Sequence, residues 1–580
     1  SKRRYLIVIA FSLIFLYYFA VITYNTCTVN YLAERFNFFF LWLILFLIYS
    51  LPWGVTLFYI KRISKDKITE IEDSLGFYPL EEVEKFFALS GEEIIQKSFS
   101  EDYHEIIVKG KSKFLKKYDL ILVRAYNTFS ISSRDIEEKI PEALNEKSGS
   151  KKIAIIVSLS HLSVENKFSL NRLNKKFPVL SLLMDDIKTA LFDEYSGREV
   201  EGAGIRNLLR NRIILTEDRV DLYYYTQKVT EPIMFYGRKK DAKTLLSLIR
   251  RDINTCVSGL RKIGKSSLQM YLQRELRKSS NLYPVIISLQ RSTTEAKGIF
   301  LDILEGLKTE IKGKDPEILF PSLNYNKKQE GSPEDFSFLF REDLLSLKKI
   351  MPANSRVILF IDEIDLIFPG ENNRKNHRDY YTVFTTFRGF SEMDKFLILS
   401  VQGFSSSINS VNRFPENFFL SENPVFQFFT EVNLGNLSKE DAFELVTGIG
   451  ALLGMDYEEE VLQRIYSEAG GHPYLTRLLC SSIVNILKEK KEDVYKVDET
   501  ILEEAVNYCL ANYRDYFTYL DELFSEEDGL KVKELIKGET CREDYRRGVD
   551  RFKKLGIINT EDKEKTVISY NLYKRWLEIT

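Results

Sequence analysis

Cysteine is scarce: five residues in 580, at Cys27, Cys256, Cys480, Cys509 and Cys541, with no C-x-x-C pair. That scatter argues against a zinc site and against a disulfide framework, and makes a reducing compartment the natural home. Histidine is rarer, with four residues and no two at metal-ligand spacing. An excess of one charge sign is also missing, because 82 basic residues face 84 acidic ones and the net charge is −2. The molecule as a whole therefore lacks the basic excess that holds nucleic acid, and any such contact must come from a local patch. A chain of this length is too long for one core, so roughly three to five domains are expected.

What is present centres on Val257–Leu268, which reads VSGLRKIGKSSL. It fits G-x-x-x-x-G-K-[ST], the phosphate-cradling loop. Gly259 and Gly264 let the backbone close into a nest whose N–H groups point at phosphate oxygens. Lys265 is expected to reach the β- and γ-phosphates and Ser266 to ligate Mg²⁺, with Ser267 beside them. The context is right for the motif: Ile253–Ser258 reads as a strand leading in and Ser267–Lys278 as a helix leading out. That helix aims its positive dipole end at the same anion.

A second run, Arg356–Asp365, reads RVILFIDEID. Its apolar stretch predicts a strand buried on both faces, as in a parallel sheet. At the carboxyl end Asp362 is expected to hold Mg²⁺ and Glu363 to polarise an attacking water. Gln402, ending the predicted strand Phe396–Val401, falls near the place of a γ-phosphate sensor; a polar strand terminus explains it equally well.

Two apolar runs lie near the start, Tyr5–Tyr24 and Phe38–Ile60. Each is long enough to span a bilayer as a helix, and the first lacks the cleavage site of a signal peptide. Lys2, Arg3 and Arg4 precede the first run; Lys61, Arg62, Lys65 and Lys67 follow the second. The positive-inside rule then expects a membrane protein with both termini cytoplasmic.

The predicted organisation is multidomain. Residues 1–67 form a two-helix transmembrane anchor, 68–228 an α/β domain and 229–435 a P-loop α/β core with a parallel sheet. Residues 436–515 form an all-α lid. In the α/β domain, Asp119–Tyr126, Ile153–Ser160, Val179–Met184, Arg212–Thr216 and Val220–Tyr225 read as strands, and Leu80–Ala88 and Ile131–Leu144 as helices. Residues 516–580 read as three helices followed by a β-hairpin and a last helix, the order of a winged helix. Its third helix carries Arg542, Arg546, Arg547, Arg551, Lys553 and Lys554 against Glu543, Asp544 and Asp550. Such a mixed face is commonly only solvated, so DNA stays a possible partner rather than an expected one.

Taken together, Tyr236-Gly237-Arg238, the Gly259–Ser267 loop, Ile361–Asp365 and Gly470-Gly471-His472-Pro473-Tyr474-Leu475 resemble a STAND-class ATPase, a signalling relative of AAA+ proteins. The resemblance covers about Glu231 to the C-terminus. It implies an ATP/ADP-binding switch that rests with ADP, opens with ATP and often assembles into a homo-oligomer in response to a trigger. It also implies that Gly237, Arg238, His472 and Pro473 flank the nucleotide. The family's sensor arginine is not evident, since Gln402-Gly403 stands in its place. Leu80–Leu191 is weakly similar to the Mrr-like branch of the PD-(D/E)xK nucleases. Arg124 and Tyr126 stand where the metal-site and catalytic residues would be, which implies a domain unable to cut. The leading expectation is a membrane-anchored ATP-driven signalling switch, in defence among other settings. The alternative is a membrane-tethered DNA-binding ATPase that uses its winged helix.

Overall fold

Two apolar, β-branched strand sets build two five-stranded sheets, and helices with apolar stripes cover both faces of each. A computed structural model describes residues 79–580 apart from short stretches, the longest being 368–376, 404–422 and 535–545. The chain divides into two units, Ser1–Phe77 and Tyr78–Thr580, and the first lies outside the described residues.

The first sheet holds β1 (Glu93–Phe99), β2 (Tyr103–Lys109), β3 (Leu120–Tyr126), β4 (Lys152–Ser158) and β5 (Val179–Leu183), in the order β1-β2-β3-β4-β5. β1, β2 and β3 pair antiparallel, whereas β3, β4 and β5 run parallel. One face packs on Phe86, Phe87, Ile187, Leu191, Ile205 and Leu209, the other on Ile136, Ile140, Leu144 and Leu170. The result is a three-layer α/β arrangement.

Two strands read from the sequence are absent. Arg212–Thr216 lies within the helix Ala203–Glu217. Ile205, Leu209 and Ile213, all buried, recur at helical spacing, and that stripe outweighs the β-branched look of Ile213-Ile214. The described part of Val220–Tyr225 is likewise not a strand. β1 and β2 gave too little alternation to be read: β1 is exposed along most of its length.

The second sheet holds β6 (Thr255–Ser258), β7 (Leu282–Ser288), β8 (Arg356–Asp362), β9 (Leu397–Gly403) and β10 (Thr430–Asn433). Its order is β10-β6-β9-β8-β7, all parallel. In β8 every residue from Val357 to Ile361 is buried, as the apolar run requires. Helices Lys239–Arg250 and Lys265–Arg277 cover one face; Ala296–Lys314, Pro333–Ile350 and His377–Met393 cover the other.

Four helices, Lys439–Leu453, Glu459–Ala469, Pro473–Lys490 and Glu499–Asn512, form the lid. Beyond it come Arg514–Ser525, Arg546–Lys554, the antiparallel hairpin β13 (Ile558–Glu561) and β14 (Lys565–Ile568), and the helix Asn571–Ile579. The short parallel pair β11 (Met455–Tyr457) and β12 (Tyr495–Val497) tacks the lid's own ends together. One continuous apolar core joins lid, C-terminal unit and the β6 face of the sheet.

The membrane expectation is corrected. Among the described residues no helix is long and apolar enough to cross a membrane. The long helices show why: Pro333–Ile350 reads PEDFSFLFREDLLSLKKI, with charges interrupting its apolar stripe. The runs Tyr5–Tyr24 and Phe38–Ile60 lie outside the described residues. Among the described residues the fold class is therefore an α/β P-loop architecture without a transmembrane pair, and they do not support the expected membrane localisation with cytoplasmic termini.

Two glycines test the packing in opposite directions. A Cβ at Gly313 would sit 2.5 Å from Phe192 Cζ, and one at Gly389 would meet nothing nearer than 3.8 Å. The Phe192 ring cannot swing away freely, because the Arg277 guanidinium lies 3.9 Å from its centre. Gly313→Ala is expected to lose about 1–3 kcal/mol by overpacking. Gly389→Ala, inside a helix, is expected to gain about 0.5–1 kcal/mol. Urea unfolding of the two variants against the parent chain checks both signs.

Candidate nucleotide-binding and hydrolysis site

The site forms where β6 and β8 end side by side with β9 between them. Leaving β6, the chain turns through Gly259 (φ +156°), Lys262 (φ +61°) and Gly264 (φ +100°) before the helix Lys265–Arg277 begins. A Cβ at Gly259 would lie 2.6 Å from the Leu434 carbonyl oxygen, so glycine is demanded there by space as well as by backbone angle. Left-handed residues recur through the loop, the kind of backbone from which an anion nest is built.

Lys265 and Ser266 take up the inner face. Lys265 Nζ donates to the carbonyls of Gly259 and Leu260, 2.8 Å each. Desolvation pulls its pKa down to about 8, against the opposing pull of Asp362 and Asp365. Ser266 Oγ donates to Asp362 Oδ2 at 2.9 Å, so the residues expected to share Mg²⁺ do meet. Gln402, buried at the end of β9, donates to Ser266 Oγ at 3.4 Å and to Gln269 Oε1 at 3.1 Å. Beside it, Gly403 leaves room for Asp365: a Cβ there would lie 2.5 Å from Asp365 Oδ2.

Mg²⁺ prefers oxygen donors and keeps several waters, so it needs few protein ligands. A hydroxyl and a carboxylate 2.9 Å apart fit that demand; among the described residues no cluster of three or more His, Cys, Asp or Glu forms a protein-only cage. Ser266 and Asp362 would hold the ion, and bound there it would offset phosphate charge.

Glu363 follows Asp362 in a left-handed backbone (φ +58°), a conformation that costs a non-glycine residue about 1–2 kcal/mol. Its Oε2 is buried without a hydrogen-bond partner among the described residues. Desolvation and then the Asp362 charge raise its carboxyl pKa. A carboxylate held out of its ordinary pairing, at a strained position beside a candidate metal ligand, is placed for proton abstraction from water.

The remaining expected residues grip the loop from outside. Arg238, itself left-handed (φ +62°) and buried, donates from Nη2 to the Ile263 carbonyl at 2.8 Å and from Nη1 to Asp241 at 3.3 Å. Gly237 (φ +72°) brings that turn against the lid: a Cβ there would lie 3.1 Å from Leu437 and Asp441 side-chain atoms. Ser267 Oγ accepts from the Val229 backbone N–H at 2.9 Å, so it ties the incoming linker to the loop's helix rather than facing the nest.

His472 is fully buried, and Pro473 opens the next lid helix. The Leu475 N–H donates to its Nδ1 at 3.5 Å, so Nε2 carries the proton and donates to Tyr516 Oη at 2.7 Å. Tyr516 Oη in turn donates to the Arg261 carbonyl at 3.3 Å. Tyr519 adds a second contact, accepting from the Arg261 N–H at 3.4 Å, with the Arg261 guanidinium 5.5 Å from its ring centre. Tyr516 and Tyr519 were missed in the sequence. Two tyrosines three apart, one helical turn, were the available signal, but nothing local says what that helix face touches.

No family model matches the chain, and no curated protein matches it. Among solved structures, a Walker-type ATPase of Pyrococcus abyssi matches at 15% identity and TM-score 0.43, covering 62% of this chain and 99% of its own. The ORC2 protein of Aeropyrum pernix, in ADPNP and ADP complexes, matches at 12% and 0.38, covering 63% and 96%. Cdc6p of Pyrobaculum aerophilum matches at 13% and 0.31, covering 62% and 97%.

Burial pushes the His472 pKa down to about 3, so the folded protein resists its protonation. The unfolded chain takes that proton near pH 6.5. The stability this residue confers is complete above that pH and drains away as the pH falls toward the folded value. His472→Gln is therefore expected to flatten the loss of stability between pH 6.5 and 4, as read by urea midpoints at each pH.

Proposed function

We propose that the chain is an ATP-binding and ATP-hydrolysing molecular switch of the STAND type, within the wider AAA+-like P-loop ATPases. The observation that carries the reading is the 2.9 Å contact between Ser266 and Asp362, from two segments nearly a hundred residues apart in sequence. In the reaction, the loop N–H groups bind the triphosphate and Lys265 neutralises its β- and γ-oxygens. Glu363 takes the proton of the attacking water, and Gln402 orients the γ-phosphate side.

The switch half of the reading is supported by the outer grip on the loop. Arg238 from the linker, and His472 through Tyr516, each end on a carbonyl of residues 261–263. Lid and C-terminal unit are therefore bonded to the element that binds phosphate. A ligand shifts such an equilibrium only by binding the arrangements unequally, and these contacts supply the difference. ATP-dependent homo-oligomerisation set off by a protein or small-molecule trigger completes the proposal. The N-terminal sheet, antiparallel then parallel, accords with a degenerate Mrr-like domain, in which Arg124 is spent on Glu105 at 2.8 Å.

A second reading, a DNA-binding ATPase, is favoured by one feature: the helix Arg546–Lys554 followed directly by the hairpin β13–β14, a winged-helix order, with Lys553 and Lys554 exposed. Binding of duplex DNA that weakens steeply with salt would support it, and salt-insensitive binding or none would remove it.

Lys265→Ala is expected to abolish ATP binding in equilibrium dialysis. Glu363→Gln is expected to keep binding and lose about 10²–10⁴-fold in turnover. Unchanged affinity in the first variant, or unchanged turnover in the second, would overturn the assignment of those residues.

A further inference from the structure

A cavity of about 90 Å³ lies where β5 and the helix Val164–Asn174 of the N-terminal domain meet the lid helix Lys439–Leu453 and the linker into the P-loop core. Its lining includes the polar Lys167, Asn171, Ser181 and Arg212 and the apolar Leu222 and Leu452. Lys167 is the odd member. It is 3% exposed, and its Nζ donates to Tyr236 Oη at 2.9 Å and to the Gly448 carbonyl of the lid at 3.1 Å.

Both partners are neutral, and no carboxylate lies within ion-pairing distance of Lys167 among the described residues. The one acid that acts on it, Glu444, is bonded to Lys239 at 2.7 Å. Desolvation accordingly lowers its pKa to about 8. A buried cation without a counter-charge is costly, and ordinarily pairs or loses its proton. An ammonium carries three donors, and two are used here. Arg212 adds a second cation to the rim, but Glu231 at 3.0 Å and Asp186 at 3.5 Å already face it.

We propose that this cavity binds a small organic anion, an oxyanion head on the third Lys167 donor with a short apolar tail along Leu222 and Leu452. The anion supplies the missing counter-charge without breaking the bonds to Tyr236 and Gly448. Because those bonds tie the N-terminal domain to the lid, and Tyr236 leads straight into Gly237-Arg238, the bound anion favours the closed arrangement. The site is separate from the P-loop. The binding claim therefore stands or falls independently of ATP hydrolysis, and only its effect on the lid rests on the proposed switch.

The test uses the full chain with n-butyl phosphate and butyrate as probes, whose comparison distinguishes a phosphate head from a carboxylate head. Thermal unfolding is followed with each probe. A saturable rise in Tm of about 2–4 °C is expected with at least one probe. It should persist in Lys265→Ala, which removes the P-loop lysine. It should vanish in Lys167→Met, which keeps the stem and deletes the charge, and in Ser181→Leu, which fills the cavity and leaves Lys167 in place. No shift with either probe, meaning a cavity that holds water only, would overturn the proposal. So would a shift that survives both cavity variants, or one lost in Lys265→Ala. Slower release of bound ATP analogue in the presence of the probe supports the link to the lid, and unchanged release refutes that link alone.

Discussion

The molecule depends on the backbone between Gly259 and Gly264 adopting a shape that peptide chains disfavour. Left-handed residues recur there at Gly259, Lys262 and Gly264, the kind of backbone from which anion nests are built. Such a loop cannot hold itself. Its carbonyls are satisfied by Lys265 at Gly259 and Leu260, by Tyr516 at Arg261 and by Arg238 at Ile263. One of these donors is local, one comes from the entering linker and one from beyond the lid. The loop's form is thus a property of the assembled chain, although its sequence is a single motif.

That division of labour decides what was legible. The motif residues could be read because phosphate and metal chemistry fixes both type and spacing. Gly259, Gly264, Lys265 and Ser266 sit in one loop, and Asp362 falls where a buried strand must end. β8 announced itself through Val357–Ile361, since a strand covered on both faces has no polar residue to blur it. The lid helices were clear for a related reason: caps such as Ser438 and Asp498 stand just ahead of strong apolar stripes.

What stayed hidden depends on contacts far apart in sequence. The strand-like Arg212–Thr216 became helix because Ile205, Leu209 and Ile213 find a common neighbour in the first sheet. β1 pairs with β2 only among the strands, and its mostly exposed side chains leave no pattern to read. Ser267 looks in sequence like one more phosphate ligand; the Val229 N–H claims its hydroxyl instead. Tyr516 and Tyr519 could not be assigned to the loop, because only the course of the chain through the whole lid brings them over Arg261. Hydropathy marked the apolar runs near the start as spans; they lie outside the described residues, and no described helix is long and apolar enough to cross a membrane.

The same geometry explains how domain position and phosphate binding can be coupled without sharing a ligand. The Arg261 and Ile263 carbonyls carry the contacts to Tyr516 and Arg238, and the Arg261 N–H meets Tyr519. Tyr516 is bonded to Arg261 at one side and to His472 at the other, and His472 directly follows the turn at Gly470 (φ +57°) and Gly471 (φ +73°). Those two glycines leave no slack: a Cβ at Gly470 would lie 2.4 Å from the Ser569 carbonyl oxygen and one at Gly471 2.4 Å from that of Leu437. Close backbone approach packs the turn against the C-terminal unit on one side and the segment entering the lid on the other. The loop is thereby joined to the C-terminal unit through Tyr516 and to the lid through His472, the contiguous kind of contact through which coupling between sites travels.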